Sequence, residues 1–529
     1  MKKKGIIVAV FFAVIMTTSL AAGVMLNRSP SVEEEDVGIT KTGTPADNFP
    51  DAQREQFCGT SDPKSTDFVK EYSIPTACTN PLAIVSDYDG NVWFAETNTG
   101  RIAKFEPKTE SFSEFENPAW PKGGRSMMWG IDYSPDGSIW FTDEAYDSIW
   151  RFSPETQKYQ RLSYPSDGNS LPQRLQVQGS QVIVNDFTGN KITFLDPTQS
   201  SKDLNYVSLP SPQENSVTAD FTVDKNNNIW YTNWIFQDSG VLVKYDQPGF
   251  QKSVADTGNY SRPLFDFIDI FELPPELSTP NGTVATKDGK IWLADTSSSY
   301  FFSFEQNTKQ FTQYVTSEPQ LMTYGNFTGI IKSPISRPYW IDVDSYDRLV
   351  FNEQTSNSIA VMDPKDESLI EYSIPSRNPN WGDCNDAPNC GVAQVFDFTI
   401  EGDRIWFTEW VENNIGVVDT SIKLPLNVKS EQKEISIKSG ESADLNFVIQ
   451  SQSESSISDV SPIFSKTNQL LNISSSAPKK ITLNPNESMT VDITISADKN
   501  IMPGTYKILL GAQMPDVSIS EFITLTIQP

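Results

Sequence analysis

Seven oxygen-bearing side chains recur at one place in a repeated string, and oxygen dominates the chemistry on offer because the 529 residues include no histidine. Glu96, Asp143, Asp186, Asn233, Asp295, Glu353 and Glu409 end the strings VWFAE, IWFTD, VIVND, IWYTN, IWLAD, LVFNE and IWFTE. Such groups cap an adjoining loop by accepting backbone N–H bonds. Alternatively the carboxylates Glu96, Asp143, Asp186, Asp295, Glu353 and Glu409 form a ring for a hard cation, calcium or magnesium, whose ligands are oxygens. Without imidazole, a general base working near neutral pH has to be a carboxylate whose pKa burial has raised. No G-x-S-x-G, P-loop or dinucleotide motif accompanies the strings. DYDGN, SPDGS and TKDGK match hairpin turns and are at best half of a calcium loop.

The elements that carry these groups are strands. Spacing between the central residues Trp93, Trp140, Ile183, Trp230, Trp292, Val350 and Trp406 is 47, 43, 47, 62, 58 and 56 residues. A period just above 40 with several short strands per unit marks propeller blades, and the longer intervals need only loop insertions. In the first unit Ala83 to Asp87, Val92 to Glu96, Arg101 to Phe105 and Ser111 to Glu116 read as four strands, and helical periodicity is absent throughout. The repeated tryptophans are expected to pack between blades.

Seven blades place one inner strand each around an axis. These strands begin at Leu82, Trp129, Gln173, Ala219, Asn281, Tyr339 and Phe396, and the next position adds Arg174, Asp220, Trp340 and Asp397. Aromatic area beside charged groups would suit a sugar or planar ligand, whereas the same aromatics also serve to plug a channel. Trp129, Arg174, Asp220, Tyr339, Trp340, Phe396 and Asp397 are therefore the ligand-binding candidates. A glycan on the Asn281 sequon would obstruct that face.

Outside the repeats, Lys2, Lys3 and Lys4 precede an apolar run from Gly5 to Leu26, readable as a membrane anchor or a cleaved signal peptide. Either reading puts the rest of the chain outside the cytoplasm, with the membrane met through that segment only. Residues 27–66 read as an acidic flexible tether. A net charge of −27 and a pI near 4.4 argue against nucleic acid or anionic membrane surfaces as partners. In an exported chain Cys58, Cys78, Cys384 and Cys390 suggest disulfides; of three pairings we favour Cys58 with Cys78 and Cys384 with Cys390, a four-cysteine zinc site being the alternative. Sequons stand at Asn27, Asn259, Asn281, Asn326, Asn472 and Asn486.

The propeller is expected over 67–420. EYSIP at Glu71 to Pro75 lies before the first unit, and the seventh unit lacks an outer strand of this kind, so the early strand is expected to complete the last blade and close the ring. From 425 to 529 the tryptophans stop and alternating strands such as ADLNFVIQ, MTVDITIS and TYKILLGA indicate a β-sandwich. This segment resembles the Ig-like modules appended to extracellular proteins, which implies a spacer or adhesive role. The fold class is all-β: a seven-bladed β-propeller, then a sandwich, behind an N-terminal hydrophobic helix.

At IWFTE followed by NNIGVVD the blade resembles that of the virginiamycin B lyase (streptogramin lyase) family of seven-bladed propellers. The resemblance also rests on the outer EY-x-I-P strand. In that family a depsipeptide lactone is opened by elimination, with magnesium and a general-base histidine, from P-H-A-I and E-P-H-G-I strings at the start of two late inner strands. The matching strings here are Pro338-Tyr339-Trp340-Ile341 and Gln394-Val395-Phe396-Asp397-Phe398. Tyr339 and Phe396 stand at both histidine positions and Gln394 at that of the glutamate. The resemblance thus implies the fold with a non-catalytic role, binding a small molecule, glycan or protein outside the cell. The alternative is a metal-dependent lyase or lactone hydrolase, gluconolactonase-like, using carboxylates at the channel mouth with calcium or magnesium.

Overall fold

The computed structural model describes Cys58, Gly59 and residues 62–529 apart from 167, 197–204, 236–237, 258–262, 320–334 and 380–389. The Gly5–Leu26 run, most of the tether, Cys384 and the sequons at Asn27, Asn259 and Asn326 lie outside the described residues. No described helix is long and apolar enough to cross a membrane.

Seven antiparallel blades of four strands follow one another, six as separate sheets and blade 6 as part of a larger one. Their inner strands are Pro81–Ser86, Ile131–Tyr133, Pro172–Gln178, Val217–Val223, Pro280–Ala285, Pro338–Val343 and Val395–Glu401. The second strand of each blade is the repeated string, buried along its length because apolar neighbours cover both faces, as in Ile139–Asp143. The tryptophans do pack between blades: Trp406 of blade 7 lies with Phe94 and Phe105 of blade 1, and Trp140 of blade 2 with Val182 and Val184 of blade 3. Removing one such indole would cost about 3–5 kcal/mol.

The ring closes as expected. Val69–Ser73 is the outer strand of blade 7, antiparallel to Asn414–Asp419, with Val69 opposite Val418 and Ser73 opposite Asn414. Tyr72 carries the seam into the core against Phe105 and Trp406, at 4.6 and 6.1 Å between ring centroids. Cys58 is bonded to Cys78, tying down both ends of the closing segment. Cys390 is also disulfide-bonded.

The expectation that helical periodicity is absent needs correction at one insertion. Gln247–Thr257 is an α-helix between the third and outer strands of blade 4. Asp246 caps it by accepting the Gly249 N–H at 2.9 Å, and Phe250 packs on Tyr245 and Phe267. With so few apolar residues the helix leaves little periodic signal, and its stability comes from the cap and that contact.

From Leu426 onward two sheets enclose a core that includes Phe447, Val491, Ile493, Ile508, Leu510 and Leu525. Val517–Gln528 belongs to this unit, yet its first half also pairs with the outer strand of blade 6, Val517 opposite Tyr372 and Glu521 opposite Ser368. One continuous sheet therefore joins the two parts and covers an edge that would otherwise be open. Phe522, Leu509 and Ile463 pack there with Tyr314 and Leu369, and Lys507 pairs with Glu367 at 2.5 Å.

Candidate functional site

Six of the seven inner strands lose register one to three residues after they begin, for example between Pro338 and Ile341 and between Val395 and Phe398. A bulge sets extra residues against the partner strand and re-aims their side chains. Here the displaced residues are those that the sequence placed at the mouth of the axis. Arg337 and Gln394, which precede two of these strands, have φ of 59° and 56°, left-handed values costly for side chains of their size.

The structure brings the mouth residues together and fills the axis with them. Leu82, Trp129, Gln173, Ala219, Asn281, Tyr339 and Phe396 are all buried, none more than 3% exposed. Trp129 meets Phe396 edge-on at 5.4 Å, Phe396 meets Trp410 at 5.6 Å, and Tyr339 lies on Trp340 at 4.4 Å. The indole N–H of Trp129 is bound to Glu144 at 2.9 Å. These contacts set the aromatic faces against one another, as a plug would. Asn281 is buried and donates to Thr296 at 2.6 Å, so its sequon is not open to a glycan; Asn472 and Asn486 are exposed.

One layer deeper, a single cation lies among carboxylates. Arg174 reaches Asp397 at 2.8 Å and Asp220 at 3.7 Å, with its guanidinium 4.9 Å from the centre of the Trp340 ring. Burial opposes the charge on Arg174, but Asp397, Asp220 and Asp342 outweigh it and hold the group protonated. Burial pushes Asp220 up to about 7 and Asp397 up to about 6, against the pull of Arg174. Both carboxylates also accept the N–H of the next blade's inner strand, Asp397 from Ile84 at 3.1 Å and Asp220 from Thr283 at 3.5 Å. Gly130 and Gly282 stand at the equivalent position of two blades because a Cβ there would meet the Gln173 or Tyr339 carbonyl oxygen at 2.4 or 2.3 Å. Sequence reasoning missed Asp132 and Asp342, two positions further along. Asp132, raised to about 6 by burial, accepts from Val177 at 2.7 Å, and Asp342 is exposed. Their signal was the alternation of the strand itself, which returns to the same face after two residues, although Asp342 lies exposed rather than in a channel.

The repeated carboxylates occupy equivalent places in their blades and are engaged locally. Asp143 accepts from Trp150 at 2.9 Å, Asp186 from Leu171 and Gly189 at 2.8 and 2.9 Å, and Asp295 from Thr279 at 2.8 Å. Glu96 accepts from Thr99 at 2.7 Å, Glu353 from Ser358 at 2.7 Å and Glu409 from Asn414 at 3.1 Å. Among the described residues no group of three or more acids or cysteines is arranged to hold a metal ion. Backbone N–H groups cap Asp186 and Asp295, as the loop-capping reading expects, whereas Glu96, Glu353 and Glu409 accept from side chains.

An open cavity lies on the same face as the plugged mouth but outward from it, at blade 4. About 850 Å³ in volume, it is lined by Ile235, Val241, Ile270, Leu273, Pro274 and Leu277 among others, with Asp238 and Glu272 also on its walls. Ile270 is 51% exposed. Half of this lining falls within Gln247 to Ser278, one of the two long insertions, with Ser376 to Gly391, to which the sequence assigns a site if the mouth is only a plug.

No protein-family model matches the chain, and comparison with curated proteins finds no match. Solved structures do resemble it. A virginiamycin B lyase from Staphylococcus aureus is 17% identical, over 66% of this chain and 98% of that one, with a TM-score of 0.50. A streptogramin B lyase is 18% identical over 66% and 96%, with a TM-score of 0.49. At such identity the likeness is one of fold: the propeller is of the virginiamycin B lyase type.

Proposed function

We propose that this chain is a non-catalytic, extracytoplasmic propeller that binds a small molecule, glycan or protein, held at the membrane or released through its N-terminal apolar segment and stiffened by an Ig-like C-terminal sandwich. The observation that carries the reading is the filled axis. Tyr339 and Phe396 stand where the resembling family has its histidines, both are buried, and Arg174 is consumed by Asp220 and Asp397. Packed against one another, these side chains offer a substrate lactone no concave, water-excluding site among the described residues.

Binding then moves outward to the cavity at blade 4, where apolar walls meet two carboxylates. A thermal-shift panel of soluble glycans, short peptides and a streptogramin B tests this, because a ligand of the folded state stabilises it by mass action. Ile270→Asp and Leu273→Asp should abolish any shift, and Trp129→Ala should keep it. A shift lost in Trp129→Ala and Tyr339→Ala but kept in the cavity variants would return the site to the axis.

A further inference from the structure

Three consecutive blades share a feature that binding does not use. In blade 7 Glu409, at the end of the second strand, and Glu71, on the closing strand, flank Asn414–Asp419 one register pair apart, opposite Asn414 and Gly416, and their carboxyl groups interact. In blade 1 Glu96 stands in the same relation to Glu114 on the outer strand, and in blade 6 Glu353 faces Glu371. Glu96, Glu353 and Glu409 are each at most 1% exposed, and one carboxyl oxygen of each, Oε1, finds no donor. Two buried carboxyl groups side by side are compatible only when a proton lies between them.

The outer member of each pair also ties its blade to the preceding one. Glu71 accepts from the Ser376 N–H and hydroxyl at 3.0 and 2.5 Å, just beyond the outer strand of blade 6. Glu371 accepts from the N–H and hydroxyl of Ser317 at 3.0 and 2.6 Å, just beyond that of blade 5. In blade 1, Arg101 bridges Glu114 at 4.0 Å and Thr76 at 3.0 Å, just beyond the closing strand.

We propose that the arc of blades 6, 7 and 1 is a proton-operated latch on the ring closure, in which the proton shared by Glu409 and Glu71 holds Val69–Ser73 in blade 7. Loss of that proton sets two negative charges together in a buried place and favours release of the strand. The Cys58–Cys78 bond limits the excursion, so release is a tethered, reversible opening. The charged groups facing the pair are Glu412, from the turn after Arg404–Glu409, and Lys64, from the segment before the closing strand. The polar neighbours are Ser376 and the Lys64 N–H, which donate to Glu71, Asn414, which donates to Glu409, and Asn378, which contacts Glu412. Burial first, then Glu71, raises Glu409 well above the usual carboxylate range. The sign follows: closed, the pair keeps the proton, and open, the carboxyl meets water and loses it above its ordinary pKa of about 4.3.

Amide hydrogen exchange at Val69–Ser73 in the full chain, corrected for the intrinsic pH dependence, reads the opening directly. Between about pH 5 and the raised pKa the opening constant should rise about tenfold per pH unit, one proton being released. Glu409→Gln, whose amide supplies a permanent donor to Glu71, should abolish that slope, and Glu353→Gln should leave it in place. If Glu409→Gln does not fold, Glu71→Gln serves the same purpose. A flat profile in the wild type, or a slope that persists in the glutamine variant, would overturn the latch.

Discussion

Arg174 is the side chain on which the axis depends. Its partners Asp220 and Asp397 are buried, and removing the guanidinium would leave two carboxylates facing each other's blades without a cation. Breaking such a pair costs about 3–5 kcal/mol, less where the carboxylates can take up protons instead. Arg174→Met should therefore lower the urea midpoint more at about pH 8 than at about pH 5, since Asp220 and Asp397 sit at about 7 and 6 even with Arg174 present. An equal loss at both pH values would show that the arginine does not govern them. The sequence placed all three residues at the axis because the repeat register counts positions along each inner strand. It did not show that they satisfy one another, since Arg174 and Asp397 are 223 residues apart and the bulges that bring them together have no residue signature.

Among the elements, the strands were legible and their partners only in part. The closing strand could be assigned because EYSIP at Glu71 repeats an outer-strand string and the last unit lacks one. The pairing of Val517–Gln528 with blade 6 could not, because any edge strand of the C-terminal unit offers the same backbone groups. That junction makes the C-terminal unit part of the propeller's hydrophobic structure, burying Phe522 and Leu509 beside Tyr314. Ending the chain at residue 424 should expose these apolar groups and the free outer strand Ser368–Ser373, giving concentration-dependent association in sedimentation or light scattering. A monodisperse truncated chain with an unchanged melting temperature would show that the joined sheet is incidental.

At the scale of the whole molecule, a seven-bladed propeller with buried aromatic side chains at the start of its inner strands is joined at blade 6 to a second unit. The fold was readable from period and strand patterning, since every blade repeats the same solution for burying two faces of a sheet. The candidate site was less readable: side-chain type gave the aromatic mouth, but whether it is open depends on how seven strands converge. The cavity at blade 4 forms where an insertion meets the loops before the inner strand and after the second strand, and that meeting depends on contacts rather than on a motif. The most direct test of the filled axis is incubation of the purified chain with a streptogramin B antibiotic, with and without magnesium, followed by chromatography and mass spectrometry. Elimination would give a ring-opened isomer of unchanged mass, and hydrolysis a product heavier by one water. The structure predicts that the antibiotic is recovered intact in every condition. Chelator-sensitive formation of either product would contradict it.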